Sequence, residues 1–319
     1  MSYRILIPQA VAKEGIELLK SYGFEIKNGS GAKEEDLIKD VVDCDAILLR
    51  TAPCTEAVLK AGKNLKIVAR HGAGYNNVDL AAAARLGIWA TNAPDSTTNT
   101  VAEFVLGAIL AISKKIFLMN RKMKEGDFFF KNTHKGMDLT GKKLGIVGFG
   151  RIGRKVAQKA FYGLGMKIFA YDPYLREEDY PDYATICSWE NIFKEADIIT
   201  LHMPLVKENI RCVGMKEFSN MKESAYLINC ARGEVINEEE LILALNEKLI
   251  AGAFLDVFEE EPPKNDNPLL SMDNVITTPH MASNTEECMI LMAVQAASEI
   301  IKVLSNEKPS WPVNNPLIK

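Results

Sequence analysis

The sequence contains two series of short apolar segments that alternate with helical patterns, and this alternation constrains the fold more than any other feature. In the first series, which covers residues 1–92, the apolar segments read RILIP, DAILLR, KIVARHG and GIWATN. The segments between them, such as KEGIELLKSYG and VDLAAAARLG, have the period of an amphipathic helix. Strands and helices that alternate at this spacing predict a parallel sheet with crossover helices.

A second series supplies six further strand patterns. They read KKLGIVGF, KIFAYD, DIITLHM, AYLINC, GAFLDVF and NVITTP. Each is a continuous apolar run, as expected for a parallel sheet that helices cover on both faces. Between them, INEEELILALNEK predicts a helix, since Asn237 and Glu240 have the spacing of an N-cap and its capping-box partner. The series is long enough for a whole Rossmann-like domain.

Two long segments flank the second series. Residues 97–126 read as one long helix followed by a basic stretch, and residues 285–304 read as another helix. A chain of 319 residues is long for one hydrophobic core. We therefore predict an α/β protein with two Rossmann-like or flavodoxin-like parallel-sheet domains and a cleft between them. The first domain would comprise residues 1–96 plus 286–319, and the second would comprise residues 97–285.

The composition narrows the class of partner. Hydrophobic residues make up 47% of the chain, and a formal net charge of −4 gives no support to binding of nucleic acid or an anionic membrane. We see no apolar run that approaches the ~18–20 residues of a membrane span, and no signal-peptide pattern. The six cysteines have no metal-ligand spacing, so we expect reduced thiols, a cytoplasmic protein and no metal. The partner is then a small molecule or another copy of the chain.

A glycine-rich turn predicts a cofactor site. Gly148, Gly150 and Gly153 form the pattern GxGxxG between a strand and the helix RKVAQKAFYGLG. Such glycines let the backbone approach a pyrophosphate at the positive end of a helix. Asp172 ends the next strand, 19 residues after Gly153, where a carboxylate binds the adenosine ribose and repels a 2′-phosphate. The pattern indicates NAD rather than NADP, and the alternative is a tight turn without a ligand.

Polar residues follow the other strands of the second series, and three of them suit hydride transfer to or from a 2-hydroxy acid. Ligands of open α/β sheets bind outside the carboxyl ends of the strands. There, the planar fork of Arg232 suits a substrate carboxylate, and His280 suits the transfer of the hydroxyl proton. Glu261 would hold the histidine in one tautomer.

Other interpretations of these strand ends stay open. Arg232 also suits a surface position, and Glu261 is one of three consecutive glutamates. His202 follows a strand as well but suits a loop-lining role. Asp256 either caps a turn or lies beside the nicotinamide.

Taken together, these motifs resemble the D-isomer-specific 2-hydroxyacid dehydrogenases over nearly the whole chain. Matching stretches include ARHGAGYNNVDLAAAARLGI, LTGKKLGIVGFGRIGRKVA, INCARGEVINEEELILALNEK, LDVFEEEP and TPHMAS. The resemblance implies an NAD-dependent oxidoreductase that transfers a hydride between nicotinamide and C2 of a small D-2-hydroxy or 2-keto acid. It also implies that residues 1–96 plus 286–319 form the substrate-binding domain and residues 97–285 the NAD-binding domain, and that a homodimer forms largely through the NAD-binding domain.

The resemblance assigns roles residue by residue. Arg232 matches the substrate-binding arginine of the family, Glu261 matches the glutamate just before proline in the DVFxxEP motif, and His280 matches the acid/base histidine. The substrate-contacting positions correspond to Arg50, Arg70, Ala73, Gly74 and Arg232. The cofactor-contacting positions correspond to Gly148, Gly150, Arg151, Ile152, Gly153, Asp172, Met203, Pro204, Asn209, Cys230, Ala231 and Asp256.

Within the family, the resemblance favours a phosphoglycerate-like substrate. Arg50 and Arg70 stand where phosphoglycerate enzymes carry arginines for the phosphate, and we expect a member without a C-terminal regulatory domain. The alternative is a reductase of hydroxypyruvate, glyoxylate or another 2-keto acid. An NAD(H)-sensing scaffold of the corepressor type, which shares the fold, is the alternative from another functional class.

Overall fold

The computed structural model describes residues 2–317, which form two compact units. Among these residues, the first unit comprises 2–97 together with 283–317, and the second comprises 98–282. The first unit therefore combines two distant segments of the chain, whereas the second is one continuous segment.

Twelve strands and eleven α-helices form the regular structure of the described residues. The strands are β1 Arg4–Ile7, β2 Glu25–Asn28, β3 Ala46–Leu49, β4 Ile67–Arg70, β5 Trp89–Thr91, β6 Lys143–Val147, β7 Lys167–Tyr171, β8 Ala184–Ile186, β9 Ile198–Leu201, β10 Tyr226–Asn229, β11 Gly252–Leu255 and β12 Val275–Thr277. The helices are α1 Lys13–Ser21, α2 Glu34–Asp40, α3 Glu56–Ala61, α4 Leu80–Arg85, α5 Pro94–Ser113, α6 Ile116–Lys124, α7 Arg151–Leu164, α8 Trp189–Glu195, α9 Met215–Asn220, α10 Glu238–Asn246 and α11 Glu286–Leu304.

Each unit is built around one parallel sheet. The first sheet has the order β2-β1-β3-β4-β5, and the second has the order β12-β11-β10-β9-β6-β7-β8. All adjacent strands are parallel. Every residue of β3, β9 and β11 is buried, as expected when helices cover both faces of a sheet. The predicted fold class, two α/β domains with parallel sheets, is confirmed.

Two strands, β2 and β8, are absent from the sequence-based prediction. Both lie at the edge of their sheet. β2 reads EIKN and β8 reads ATI, and each has exposed residues. An edge strand pairs on one side only and tolerates polar residues. Neither strand therefore has the continuous apolar run that marks the other ten.

The segment between the two series forms two helices, so the prediction of one helix over residues 97–126 is wrong. Helix α5 ends at Ser113, and Lys115 has a left-handed backbone with φ 53° before α6 begins. A left-handed residue with a side chain cannot continue a right-handed helix. Helix α5 also begins earlier than predicted, at Pro94, because the fixed φ of proline suits the first helical turn.

Helix α5 is long and apolar enough to cross a membrane by length and composition, so the expectation of no such run is wrong. The core helix of a soluble protein meets the same criterion. Here Val101, Val105 and Ile109 of α5 are buried in one cluster with Ile146 and Ile168 of the second sheet. Packing against this sheet therefore accounts for the apolar character of α5.

Helix α11 completes the first unit by packing against α1. A Cβ atom on Gly15 of α1 would lie only 2.8 Å from the backbone of Ala293 in α11. Ile300 of α11 and Leu19 of α1 share a buried cluster with Ile5 of the sheet. The absent side chain at Gly15 is what lets the two helices approach this closely.

We predict that Gly15→Ala lowers the Tm of the protein, although alanine favours helices. The added methyl group meets the Ala293 backbone at 2.8 Å, and overpacking of this kind costs about 1–3 kcal/mol. That cost outweighs the gain of at most roughly 1 kcal/mol in helix propensity. Thermal unfolding followed by circular dichroism measures the result.

Gly107→Ala in α5 is the matched control for this substitution. No atom of the described chain outside its immediate neighbourhood lies within 4 Å of a Cβ at Gly107. The control should therefore keep or raise the Tm. A Tm for Gly15→Ala equal to that of Gly107→Ala would contradict the close contact between α1 and α11.

Candidate active site

The carboxyl ends of the second sheet carry the predicted site residues of the second unit. All seven strands are parallel, so the loops that follow them leave from the same edge. The segments after the strands carry Gly148 to Gly153 after β6, Asp172 after β7, Met203 and Pro204 after β9, Cys230 to Arg232 after β10, Asp256 and Glu261 after β11, and His280 after β12.

The glycine turn after β6 depends on the missing side chains of its glycines. Gly148 has φ 90°, and a Cβ there would lie 2.7 Å from the backbone of His202 and Met203. A Cβ on Gly153 would collide with the carbonyl oxygen of Gly148. The turn therefore packs tightly against the loop after β9 and against the first turn of α7.

The space above Gly150 fits the pyrophosphate of a dinucleotide. Gly150 is the N-cap of α7, and no atom of the described chain beyond its neighbours lies within 4 Å of a Cβ there. The helix N-terminus offers backbone N–H groups and a positive dipole end to an anion. Close by, the carboxylate of Asp172 accepts the N–H groups of Phe149 at 2.9 Å and of Tyr174 at 3.0 Å. These bonds hold the carboxylate beside the glycine turn.

The loop after β9 is closed by Asn209. Its side-chain amide donates to the carbonyl oxygen of Pro204 at 2.5 Å, and its side-chain oxygen accepts the Val206 N–H at 2.8 Å. In the same loop, His202 Nε2 lies 3.0 Å from the Thr200 hydroxyl. Burial lowers the pKa of His202 to about 3, so its ring is neutral at physiological pH. This favours the loop-lining interpretation of His202 over an acid/base role.

Asn229 at the end of β10 orders the loop that carries Arg232. This fully buried side chain donates to the carbonyl oxygen of Arg232 at 2.8 Å and accepts the Ala231 N–H at 3.0 Å. The Arg232 guanidinium in turn donates to the Ala231 carbonyl at 2.6 Å. Burial lowers the pKa of Arg232, although the charges of Glu234 and Glu261 oppose this. The motif-based prediction does not include Asn229. The sequence feature that marks this residue is a single amide side chain at the end of an otherwise apolar strand.

The three consecutive glutamates have different partners. Glu259 pairs with Arg211, and the exposed Glu260 lies 3.4 Å from Lys264. Glu261 Oε2 lies 2.7 Å from Nδ1 of His280. Glu260 is therefore solvated, with 67% of its side chain exposed, whereas only 25% of the Glu259 side chain is exposed.

The contact between Glu261 and His280 helps to lower the pKa of the Glu261 carboxylate. Burial alone would raise the pKa of Glu261. The hydrogen bond and charge of His280, the Phe258 N–H and the charge of Arg232 outweigh burial, and the pKa falls below its ordinary value of 4.5. Glu261 is therefore ionised at neutral pH and favours a proton on Nδ1 of His280, which leaves Nε2 for chemistry.

Arg232 approaches this pair through a close backbone contact. A Cβ on Gly233 would collide with the carbonyl group of Phe258. Because Gly233 has no side chain, the loop after β10 lies directly against the loop that carries Glu261. The structure thus brings Arg232, Glu261 and His280 together within the second unit.

Asp256 is fully buried at the end of β11. Its carboxylate accepts the Thr278 hydroxyl at 2.6 Å, the Met281 N–H at 2.9 Å and the Ala282 N–H at 2.8 Å. Asp256 therefore caps the turn that contains His280, in agreement with the turn-capping interpretation of this residue. Cys230 is close to it, and burial together with the charge of Asp256 raises the pKa of the Cys230 thiol well above its ordinary value.

The predicted substrate residues of the first unit lie at or just after the carboxyl ends of β3 and β4. An Arg50 nitrogen donates to the carbonyl oxygen of Ala10 at 2.9 Å, and an Arg70 nitrogen donates to the carbonyl oxygen of His71. The Asn92 side chain donates to the carbonyl oxygen of Ala73 at 2.7 Å, which orders the loop that also contains Gly74. Both arginines thus hold loop carbonyl groups at the carboxyl ends of the first sheet.

His71 lies within this loop but is not among the predicted site residues. It is 2% exposed, and its Nε2 has no hydrogen-bond partner among residues 2–317. Burial and the charges of Arg50 and Arg70 lower its pKa to about 4, so the ring is neutral at physiological pH.

A family model matches more than half of the chain. Residues 106–282 match the model described as "D-isomer specific 2-hydroxyacid dehydrogenase, NAD binding domain". This confirms the resemblance drawn from the motifs, and it confirms NAD as the cofactor type of the domain.

Relatives and solved structures agree with this match. The D-3-phosphoglycerate dehydrogenase of Archaeoglobus fulgidus is 35% identical over 318 residues, which cover 99% of this chain and 60% of that relative. The glyoxylate reductase of Korarchaeum cryptofilum is 35% identical over 331 residues, which cover 100% of this chain and 98% of the relative. The crystal structure of the TT0316 protein from Thermus thermophilus has a TM-score of 0.90 at 30% identity and covers 97% of this chain and 99% of its own. The chain thus spans about 60% of the length of the phosphoglycerate dehydrogenase.

We predict that Glu261→Gln destabilises the protein at neutral pH but not in acid. Because the folded-state pKa of Glu261 lies below 4.5, its ionised form stabilises the fold above that pH. The contribution is lost as the pH falls through the folded-state pKa. The Tm difference between wild type and Glu261→Gln should therefore shrink between neutral pH and about pH 3.

Glu260→Gln is the matched control for this measurement. Its carboxylate is 67% exposed, and its contact with Lys264 is a surface ion pair. The control should show little Tm difference from wild type at either pH. A Glu261→Gln difference that grows in acid would contradict the lowered pKa.

Proposed function

Because the chain belongs to the D-isomer specific 2-hydroxyacid dehydrogenase family, we propose that it is an NAD-dependent dehydrogenase of small D-2-hydroxy acids. The observation that carries this proposal is the 2.7 Å contact between His280 Nδ1 and Glu261 Oε2 at the sheet edge that also holds the glycine turn. An oriented histidine at that edge supplies the proton transfer that accompanies hydride transfer at C2.

Each of the three predicted catalytic residues has a chemical role. NAD, when bound, supplies the hydride acceptor for C2, and its reduced form supplies the donor for the reverse reaction. His280 takes the hydroxyl proton of the substrate at Nε2, while Glu261 keeps the Nδ1 proton in place and stabilises the imidazolium. Arg232 binds the substrate carboxylate and polarises the oxygen on C2.

We propose that the two units divide the binding of the two reactants. The second unit would bind NAD, and the first unit would bind the substrate through Arg50, Arg70 and the backbone of Ala73 and Gly74. The proposed NAD contacts in the second unit are Gly148, Gly150, Arg151, Ile152, Gly153, Asp172, Met203, Pro204, Asn209, Cys230, Ala231 and Asp256.

For the substrate, we propose a 3-phosphoglycerate-like acid. Two arginines at the carboxyl ends of β3 and β4 support a second anionic group on the substrate. A reductase of glyoxylate or hydroxypyruvate is the second candidate, because the glyoxylate reductase of Korarchaeum cryptofilum matches along 98% of its length.

We further propose a cytoplasmic homodimer that forms through the NAD domain. None of the six cysteines forms a disulfide in the described part of the chain, as in a reducing compartment. Exposed apolar side chains on α6 and on the short 3₁₀ helix Phe128–Asn132 support a protein–protein contact. Each of these side chains is at least 50% exposed. This group contains Ile116, Phe117, Met123, Phe128 and Phe129.

We predict that His280→Ala lowers turnover by roughly 10²-fold or more, since general acid–base catalysis contributes a factor of this size. The affinity for NADH should stay within about twofold, because Nδ1 contacts Glu261 and Nε2 serves proton transfer, so neither is assigned to cofactor binding. NADH absorbance measures turnover, and quenching of protein fluorescence measures NADH binding. Near-normal turnover of His280→Ala would refute the proposed acid/base role.

We predict that the protein prefers NADH to NADPH because Asp172 repels the 2′-phosphate. The assay compares both cofactors with phosphohydroxypyruvate, hydroxypyruvate, glyoxylate and pyruvate. Fastest turnover with phosphohydroxypyruvate supports the phosphoglycerate-like substrate, and fastest turnover with an unphosphorylated acid supports the second candidate. A preference for NADPH would contradict the role of Asp172. Tight NADH binding without turnover of any 2-keto acid would favour the NAD(H)-sensing scaffold.

A further inference from the structure

The backbone of His280 has an unusual conformation for a residue with a side chain. Its φ angle is 49°, in the left-handed region that L-residues other than glycine rarely adopt. Residues held in this region cluster at functional sites and persist only when the surrounding structure enforces them. The contacts that enforce this conformation therefore decide where the imidazole lies.

Two backbone contacts act on His280 itself. Its N–H donates to the carbonyl oxygen of Asp256 at 2.7 Å and also approaches the carbonyl oxygen of Thr278 at 3.1 Å. Thr278 in turn donates its N–H to the Leu255 carbonyl at 2.9 Å, which extends the pairing of β11 and β12 beyond the last strand residue. The residue two positions before His280 is thus fixed to the sheet.

The Asp256 carboxylate holds the turn from both sides of His280. One of its oxygens accepts the Thr278 hydroxyl at 2.6 Å and the Met281 N–H at 2.9 Å. The other accepts the Ala282 N–H at 2.8 Å. Because Asp256 is fully buried, water does not compete for these bonds. Thr278 thus reaches the carboxylate with its side chain, whereas Met281 and Ala282 reach it with their backbone.

The Thr278 hydroxyl is also a charge-assisted donor. A buried carboxylate that loses a donor is left with an unsatisfied lone pair, and it recovers a partner only if the turn moves or water enters. Either change releases the left-handed backbone at His280, whose imidazole must stay 2.7 Å from Glu261 to keep its orientation. Loss of one hydroxyl at Thr278 is therefore transmitted to the position of Nε2.

We propose that Thr278 is a positioning residue for the reaction: through the buried Asp256 carboxylate, its hydroxyl locks His280 in the left-handed conformation that aims the imidazole. This inference rests on the proposed acid/base role of His280. It assigns no contact with substrate or cofactor to Thr278, so it predicts a larger loss in turnover than in NADH affinity.

Thr278→Val tests the proposal, because valine keeps the shape of threonine and lacks only the hydroxyl. We expect kcat to fall about 10-fold to 100-fold, since small misplacement of a reacting group has effects of this size. NADH affinity should fall by a clearly smaller factor than kcat, because Asp256, a proposed NAD contact, keeps its backbone donors Met281 and Ala282. Thr278→Ser keeps the hydroxyl and should restore kcat to within about threefold of wild type. If Thr278→Val is insoluble, Thr278→Ala removes the same hydroxyl.

Thr277→Val is the matched control, one residue earlier in the chain. Successive residues of a strand point to opposite faces, and the bonds to Asp256 come from Thr278, Met281 and Ala282. The control should keep wild-type kcat. Equal kcat values for Thr278→Val and Thr277→Val would overturn the proposal.

A double-mutant cycle with Glu261→Gln separates positioning from general loss of structure. If Thr278 acts through the orientation of His280, adding Thr278→Val to the Glu261→Gln variant should lower its kcat by less than about threefold. Full additivity would overturn the proposal. His280→Ala identifies the other possible failure: normal turnover in that variant refutes the proposed function itself, whereas a large loss there with no effect of Thr278→Val refutes only the role of Thr278.

Discussion

The second unit depends on one geometric constraint: the carboxyl ends of all its parallel strands lie along the same side of the sheet. This constraint brings loops that are far apart in the sequence to one edge, although each strand by itself is only an apolar run. Two buried polar side chains at strand ends, Asn229 and Asp256, then convert the common edge into fixed loop geometry. The polar atoms of both are satisfied by neighbouring loop groups, so burial stabilises the loops instead of opposing the fold.

The loop that carries Glu261 shows how local partners distinguish identical side chains. Glu259 and Glu260 pair with Arg211 and Lys264, while Glu261 faces His280. The lowered pKa of Glu261 follows from that placement, because the positive partners and a backbone N–H together outweigh its burial. Charge at this site is thus arranged by backbone geometry, including the close approach permitted by Gly233.

The amino-acid sequence predicts the elements with strong periodic patterns and misses those without them. Ten buried or half-buried strands and the GxGxxG turn follow from pattern and spacing, whereas the polar edge strands β2 and β8 do not. The break at Lys115 is also missed, because a single left-handed residue leaves no trace in hydrophobic periodicity. At the site, motifs predict Glu261 and His280. Thr278 and Asn229 are missed, since their importance lies in hydrogen bonds to loop groups that only the folded chain brings within reach.

The division of the first unit between two distant segments has a consequence for its synthesis. Chains emerge from the ribosome N-terminus first, and domains generally fold as units. The continuous second unit is complete once residue 282 has emerged, but the sheet of the first unit must wait for α11 to cover Ile5 and Leu48. The first segment to be made is therefore among the last to reach its native packing. In the interval, the face of the sheet that α11 covers in the folded protein stays exposed to water.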